Sequence, residues 1–152
     1  MKFRTAIISS VVACLLSLQA YACGDSLYRV GKGIAYRVYS APLPGNLLVY
    51  GDSEGANALA EELAKSGHGV HVVGSAEELT SELGKGGYDV VIAPYSERDT
   101  VESADAPSFL PVALNRDEEI VAKQSYDRVM VPEKHEIKHY LKAIHRALKE
   151  TG

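Results

Sequence analysis

The strongest constraint on the fold is an alternation, from Asn46 onwards, of apolar runs of strand length with segments of helical periodicity. The runs NLLVYG and GVHVVG are typical of buried strands, and between them Ala56 to Lys65 carries apolar side chains at helical spacing. After the second run, Ser75 is placed to cap another helix. Strands and helices that alternate through short links form a parallel sheet covered on both faces.

Three further strands are predicted at YDVVIAP, SFLPVALN and DRVMVP. Weaker helical patterns cover residues 97–105 and 116–125, and a last amphipathic helix covers residues 134–149. We therefore expect a flavodoxin-like, five-stranded parallel sheet with helices on both faces, forming one α/β domain from residue 46 to residue 152.

The first 22 residues are typical of an export signal. Lys2 and Arg4 precede an apolar run, and the small residues Ala20 and Ala22 have the spacing of a cleavage site. The run is shorter than the roughly 20 residues that a membrane-spanning helix needs. Removing residues 1–22 would lower the formal net charge from −4 to −6. We predict an exported protein, periplasmic in a bacterium, whose acidity argues against nucleic acid as a partner.

Cys23 would be the only cysteine left after this cleavage, which excludes an internal disulfide. A lipid anchor, an intermolecular disulfide and an idle thiol remain open. Ala20 and Tyr21 fit the signal of bacterial lipoproteins poorly, so plain cleavage is the preferred interpretation. Membrane attachment is expected only if Cys23 is lipidated.

Residues 23–45 have a character of their own. The β-prone runs SLYRV and IAYRVYS flank Gly31-Lys32-Gly33, and APLPG follows them. This pattern predicts a short β-hairpin and a proline-containing connector that pack against the domain.

The segments GGYDVVIAP, LPVALN and DRVMVP look like the third, fourth and fifth strands of a known family. Over residues 46–149 the chain resembles the receiver domains of two-component response regulators. The resemblance implies a site at the carboxyl ends of the strands, where active receivers bind magnesium and accept a phosphoryl group on an aspartate.

The residues that match this site depart from an active one. Gly51 and Asp52 stand in place of a pair of acids, so that one carboxylate remains. Pro94 aligns with the acceptor aspartate, and Asn115 aligns with the Ser or Thr that binds the phosphoryl group. Proline cannot accept a phosphoryl group, and a lone aspartate is a poor ligand set for magnesium.

Val131, which precedes Pro132, aligns with the lysine of active receivers. Valine cannot neutralise added negative charge. The resemblance therefore implies a receiver-like fold that has lost its phosphotransfer chemistry, and the sequence predicts no cofactor.

Two other uses of the turn after the first strand compete with this interpretation. A flavodoxin-type site for FMN or phosphate would use hydroxyl groups there, but only Ser53 carries one, and Asp52 and Glu54 would repel the phosphate. The motif GDSEG also matches the G-x-S-x-G pattern of hydrolases that use a serine such as Ser53. No histidine is placed to act as the base, and a helix cap for Ser53 is favoured over both uses.

The last helix carries two further candidate sites. His135 and His139 are four residues apart and could share a metal ion, but spacing fixes no third ligand, so no metal is predicted. Basic side chains form a stripe on the same helix, and an unidentified envelope protein is the predicted partner. The stripe consists of Lys134, Lys138, Lys142 and Arg146.

Overall fold

The computed structural model describes residues 41–104, 106 and 108–151. The predicted signal peptide, Cys23 and the predicted hairpin all fall within residues 1–40 and lie outside the described residues.

The described chain forms an α/β domain built on a four-stranded parallel sheet. The strands are β1 Asn46–Tyr50, β2 Gly69–Val73, β3 Val90–Pro94 and β4 Phe109–Val112, in the order β2-β1-β3-β4. The predicted parallel sheet is confirmed, and all four strands are apolar runs identified in the sequence.

The prediction of a fifth full strand is not confirmed. The run DRVMVP contributes one isolated bridge, between Met130 and Val112 of β4. Met130 N–H donates to the Pro111 carbonyl, and Ala113 N–H donates to the Met130 carbonyl, both at 2.8 Å. In a parallel ladder the next bonds in each direction would come from the N–H groups of residues 111 and 132. Both are prolines, so the ladder stops after one bridge.

Within the described residues, five α-helices connect and cover the strands. They are α1 Glu54–Lys65, α2 Ala76–Lys85, α3 Arg98–Ser103, α4 Arg116–Ser125 and α5 Ile137–Thr151. A 3-10 helix, Tyr95–Glu97, links β3 to α3. The last helix begins at Ile137 and not at Lys134, because the preceding residues form a turn in which the Lys134 and His135 N–H groups both donate to the Val131 carbonyl at 2.9 Å.

The core lies on both faces of the sheet. Helices α1 and α5 cover one face, whereas α2, α3 and α4 cover the other. Each fully buried leucine contributes roughly 1.5–3 kcal/mol through removal of its side chain from water. The largest buried side chains are Leu47, Leu48, Leu59, Leu63, Leu79, Ile92 and Ile144.

Candidate functional site

The carboxyl ends of β1 and β2 meet beside Asp52. Gly51, at a positive φ of 145°, turns the chain so that its N–H donates to the Val73 carbonyl at 2.8 Å. The Asp52 Cβ then lies close to Gly74, because a Cβ built on this glycine would stand 3.2 Å from the Asp52 Cβ. The Asp52 side chain is exposed. Burial, followed by the charges of Glu97, Asp52 and Glu77, raises the pKa of Tyr50, so Asp52 is one of several carboxylates near the end of β1.

Ser53 is the N-cap of α1. Its buried hydroxyl accepts a hydrogen bond from the Ala56 N–H at 3.1 Å, and Glu54 occupies the first turn of the helix. The hydrogen bond to Ser53 and the negative charge of Glu54 both stabilise the positive N-terminus of α1. The cap predicted for Ser53 is confirmed, and no observation favours its use as a phosphate ligand or a nucleophile.

Pro94 ends β3 and is buried. It leads into the 3-10 helix, where Tyr95 is also buried and the Arg98 guanidinium carbon lies 4.9 Å from the centre of the Tyr95 ring. The end of the third strand is therefore apolar and packed, with a cation–π contact beside it.

Asn115, after β4, caps α4. Its Oδ1 accepts a hydrogen bond from the Glu118 N–H at 2.9 Å, and Glu118 Oε2 accepts one from the Leu114 N–H at 2.8 Å. This resembles a capping box, except that the glutamate accepts from the N–H of the residue before the N-cap. Ser75 and Glu78 form the same arrangement with the Gly74 N–H at the start of α2. The Asn115 side chain thus holds a helix terminus. The sequence signal for this role is a capping residue followed three positions later by glutamate.

At the end of the fifth apolar run, the nearby lysine of the described chain is held in an ion pair. Val131 and Pro132 are buried, and the peptide bond between them is trans. The nearby Lys134 ammonium lies 2.5 Å from Glu119 Oε2, and Lys123 lies 2.6 Å from Glu119 Oε1. Hydrogen bonds from Lys123 and Lys134 lower the pKa of Glu119 to about 2, so it is ionised at neutral pH.

His135 and His139 are brought together, with ring centres 5.2 Å apart. His135 lies in the turn before α5, and its Nδ1 accepts a hydrogen bond from the Val131 N–H at 2.9 Å. His139 Nδ1 accepts one from the Glu136 N–H at 3.0 Å. These contacts assign the ring proton of each neutral histidine to Nε2, so no ring lone pair is left over for a metal ion. Among residues 41–104, 106 and 108–151, no cluster of three or more ligating side chains is present.

Three of the four basic residues of the predicted partner stripe, Lys138, Lys142 and Arg146, follow one another at four-residue spacing along α5, whereas Lys134 precedes that helix. Lys134 is bound to Glu119, and Arg146 lines a polar hollow with Arg128, which is ion-paired with Glu150. Lys138 and Lys142 instead line a groove of about 250 Å³.

The floor of this groove is apolar and its edges carry positive charge. Leu141 of α5 and the connector residues Pro42 and Leu43 form the floor. Lys138 lies 3.0 Å from the exposed Glu136, while Lys142 has no ion pair among the described residues within 4.0 Å. Charge beside an apolar floor is the pattern of a surface that takes an acidic, amphipathic ligand.

Two histidines also line the groove. His68 is buried, and its Nδ1 accepts a hydrogen bond from the Gly45 N–H at 3.2 Å, which holds the connector in place. Burial lowers the pKa of His68. His145 Nδ1 is buried and has no hydrogen-bond partner in the described part of the chain. The sequence did not predict this groove, because it depends on how the connector crosses α5.

A scan against protein-family models, a search of curated proteins and a search of solved structures found no significant match. The receiver resemblance therefore stays a hypothesis, carried by the residues and the fold. Of the helices in residues 41–104, 106 and 108–151, none has the length and apolar character needed to span a membrane.

Proposed function

We propose that this chain is an exported, flavodoxin-like pseudo-receiver that binds another protein and does not transfer phosphoryl groups. The order of the strands supports the fold assignment. With the Met130 bridge beyond β4, the spatial order is β2-β1-β3-β4 followed by the fifth segment, which is the order of flavodoxin-like sheets.

The polar groups at the carboxyl edge support the loss of phosphotransfer. Asp52 is exposed without a second acid beside it in the chain, and Pro94 fills the acceptor position. Asn115 caps α4, and Lys134 is bound to Glu119. Asn115 and Lys134 are thus engaged within the fold and Asp52 is a single carboxylate, so these groups are poorly placed to bind magnesium and a phosphoryl group together.

The observation that carries the binding proposal is the groove along α5. Lys138 and Lys142 flank an apolar floor that contains Leu43 and Leu141, and Leu43 remains 40% exposed. An acidic segment with one or two apolar side chains would match both the charge and the floor. The partner is therefore expected to be an envelope protein with such a segment.

The test is a crosslinking experiment on the native envelope, with a photoreactive residue at Leu43. Charge reversal of the groove in the double variant K138E/K142E should abolish capture of the crosslinked protein. The variant K85E changes an exposed lysine on α2 and should leave capture intact. A synthetic peptide of the captured segment should then bind the purified domain with the same dependence on Lys138 and Lys142.

The opposite pattern would overturn the assignment of the groove. The side chains of Ile120 and Val121 on α4 are about half exposed and provide the comparison. If I120E/V121E abolished capture while K138E/K142E did not, the partner would bind at α4. Phosphorylation of the purified domain by acetyl phosphate would overturn the pseudo-receiver itself.

A further inference from the structure

The connection between the fifth apolar run and α5 is closed by hydrogen bonds around Val131. The Val131 carbonyl accepts from the Lys134 and His135 N–H groups, and the Val131 N–H donates to His135 Nδ1. The imidazole of His135 is therefore the acceptor for a backbone N–H in a buried residue. An N–H group left without an acceptor in such a place destabilises the folded state.

Charged groups surround the His135 ring on several sides. Lys123 and Glu119 face it from α4, Lys134 precedes it in the turn, and His139 faces it from α5. We propose that His135 is a pH-sensitive latch, whose protonation breaks the hydrogen bond from the Val131 N–H and loosens the turn before α5 at that residue.

The chemistry of the latch follows from the ring. Protonation places a hydrogen on Nδ1, so this atom can no longer accept from the Val131 N–H, and two donors then point at each other. Burial, followed by the proximity of His139, Lys123 and Lys134, lowers the pKa of His135, while Glu119 opposes that shift. Because the folded pKa lies below the unfolded value of about 6.5, the stabilisation is complete above that pH and is lost as the pH falls through the folded pKa.

The neighbouring ion pair is expected to stay closed over the same pH range. Glu119 has a pKa of about 2 and remains ionised, so its bonds to Lys123 and Lys134 persist when His135 is protonated. The latch acts on the Val131 N–H and does not dissolve the contact between α4 and the turn. This inference does not depend on what the groove binds.

The experiment follows the exchange of the Val131 amide proton by NMR, together with the titration of the His135 ring signal. As the pH falls from the unfolded value of about 6.5 towards the folded pKa of His135, each pH unit should lower the Val131 protection factor by up to about tenfold, after correction for intrinsic exchange. The loss should level off below the midpoint of the His135 titration. In H135N, the Asn Oδ1 stands where Nδ1 stood and does not titrate, so protection should become nearly independent of pH. In H139N, the Val131 protection factor should still fall as the pH is lowered, as it does in the wild type.

Two results would overturn the latch. One is a wild-type Val131 protection factor that stays constant while the His135 signal titrates. The other is a loss of protection that begins above the unfolded histidine value of about 6.5, or that continues well below the midpoint of the His135 titration, which would assign the opening to another group. Both are read from the wild-type protein, so the test does not require H135N to fold.

Discussion

The Lys134 ammonium lies 2.5 Å from Glu119 Oε2, and this ion pair joins the turn before α5 to α4. Glu119 is 9% exposed and also binds Lys123, so one carboxylate holds two lysines from different parts of the chain. In an active receiver a lysine from this end of the sheet would serve the phosphoryl group. Here Lys134, the described lysine nearest in sequence to the end of the fifth apolar run, is instead bound to Glu119 on α4.

We expect E119Q to lower the melting temperature by a few degrees, because the substitution removes both ion pairs at a buried position. The matched control is E61Q, which removes an exposed pair with Lys65 on α1 and should leave the melting temperature within error of the wild type. Thermal denaturation at pH 7 makes the comparison. Equal melting temperatures for E119Q and wild type would show that the network does not stabilise the fold.

E119Q should also make the free energy of unfolding less sensitive to acid. The pKa of Glu119 is lowered to about 2, so its contribution is present above the unfolded value of about 4.3 and is lost as the pH falls towards 2. Urea denaturation at pH 5, 4 and 3 should show a smaller loss of stability for E119Q than for wild type. Equal losses of stability in E119Q and wild type would contradict the lowered pKa of Glu119.

Replacing Asn115 should affect stability and not ligand binding. N115A removes the acceptor for the Glu118 N–H and should cost about 1 kcal/mol, whereas N115S keeps a capping oxygen and should cost a few tenths. Urea denaturation measures both values. A stabilised N115A variant would mean that the cap is not the role of this side chain.

Magnesium with beryllofluoride, an analogue of a phosphoryl group, should leave the melting temperature unchanged. Pro94 offers no carboxylate to the analogue, and neither sequence neighbour of Asp52 is the second acid of an active receiver. Differential scanning fluorimetry with and without the analogue makes the measurement, with D52N as the control. A rise in the melting temperature that D52N abolishes would restore the site as a functional one.

The state of Cys23 can be read from the intact mass of the protein purified from an envelope. The residues at 20 and 21 predict cleavage without lipidation, so the mass should equal that of the unmodified chain from Cys23 onwards. An additional diacylglyceryl group would establish a membrane anchor. A mass that includes residues 1–22 would contradict cleavage of the predicted signal.

The sequence predicted those parts of the fold that depend on local pattern. The four apolar strands, the helix over residues 116–125 and the cap at Ser75 follow from periodicity and capping chemistry, and all are observed. The failure of the fifth strand could also have been predicted from Pro111 and Pro132, but only once the register with β4 was known. Register is set by tertiary packing, which a single sequence does not display.

The candidate site was less predictable for the same reason. Glu119 and Lys134 lie fifteen residues apart, and nothing in their spacing indicates a pair. The groove of Lys138 and Lys142 requires the connector at Pro42 and Leu43 to cross α5. The sequence groups the basic residues into one stripe, and the structure places them in three different environments.

The contacts of Val131 have a consequence for how copies of this protein meet. Met130 directs its backbone groups inwards to β4, so the alternation of a strand directs those of Val131 outwards, to the edge where a strand from another molecule would add. The Val131 N–H and carbonyl are already bonded to His135 and Lys134. An incoming strand therefore finds no unpaired backbone group at Val131, and growth of the sheet into fibrils is blocked there by the protein's own turn.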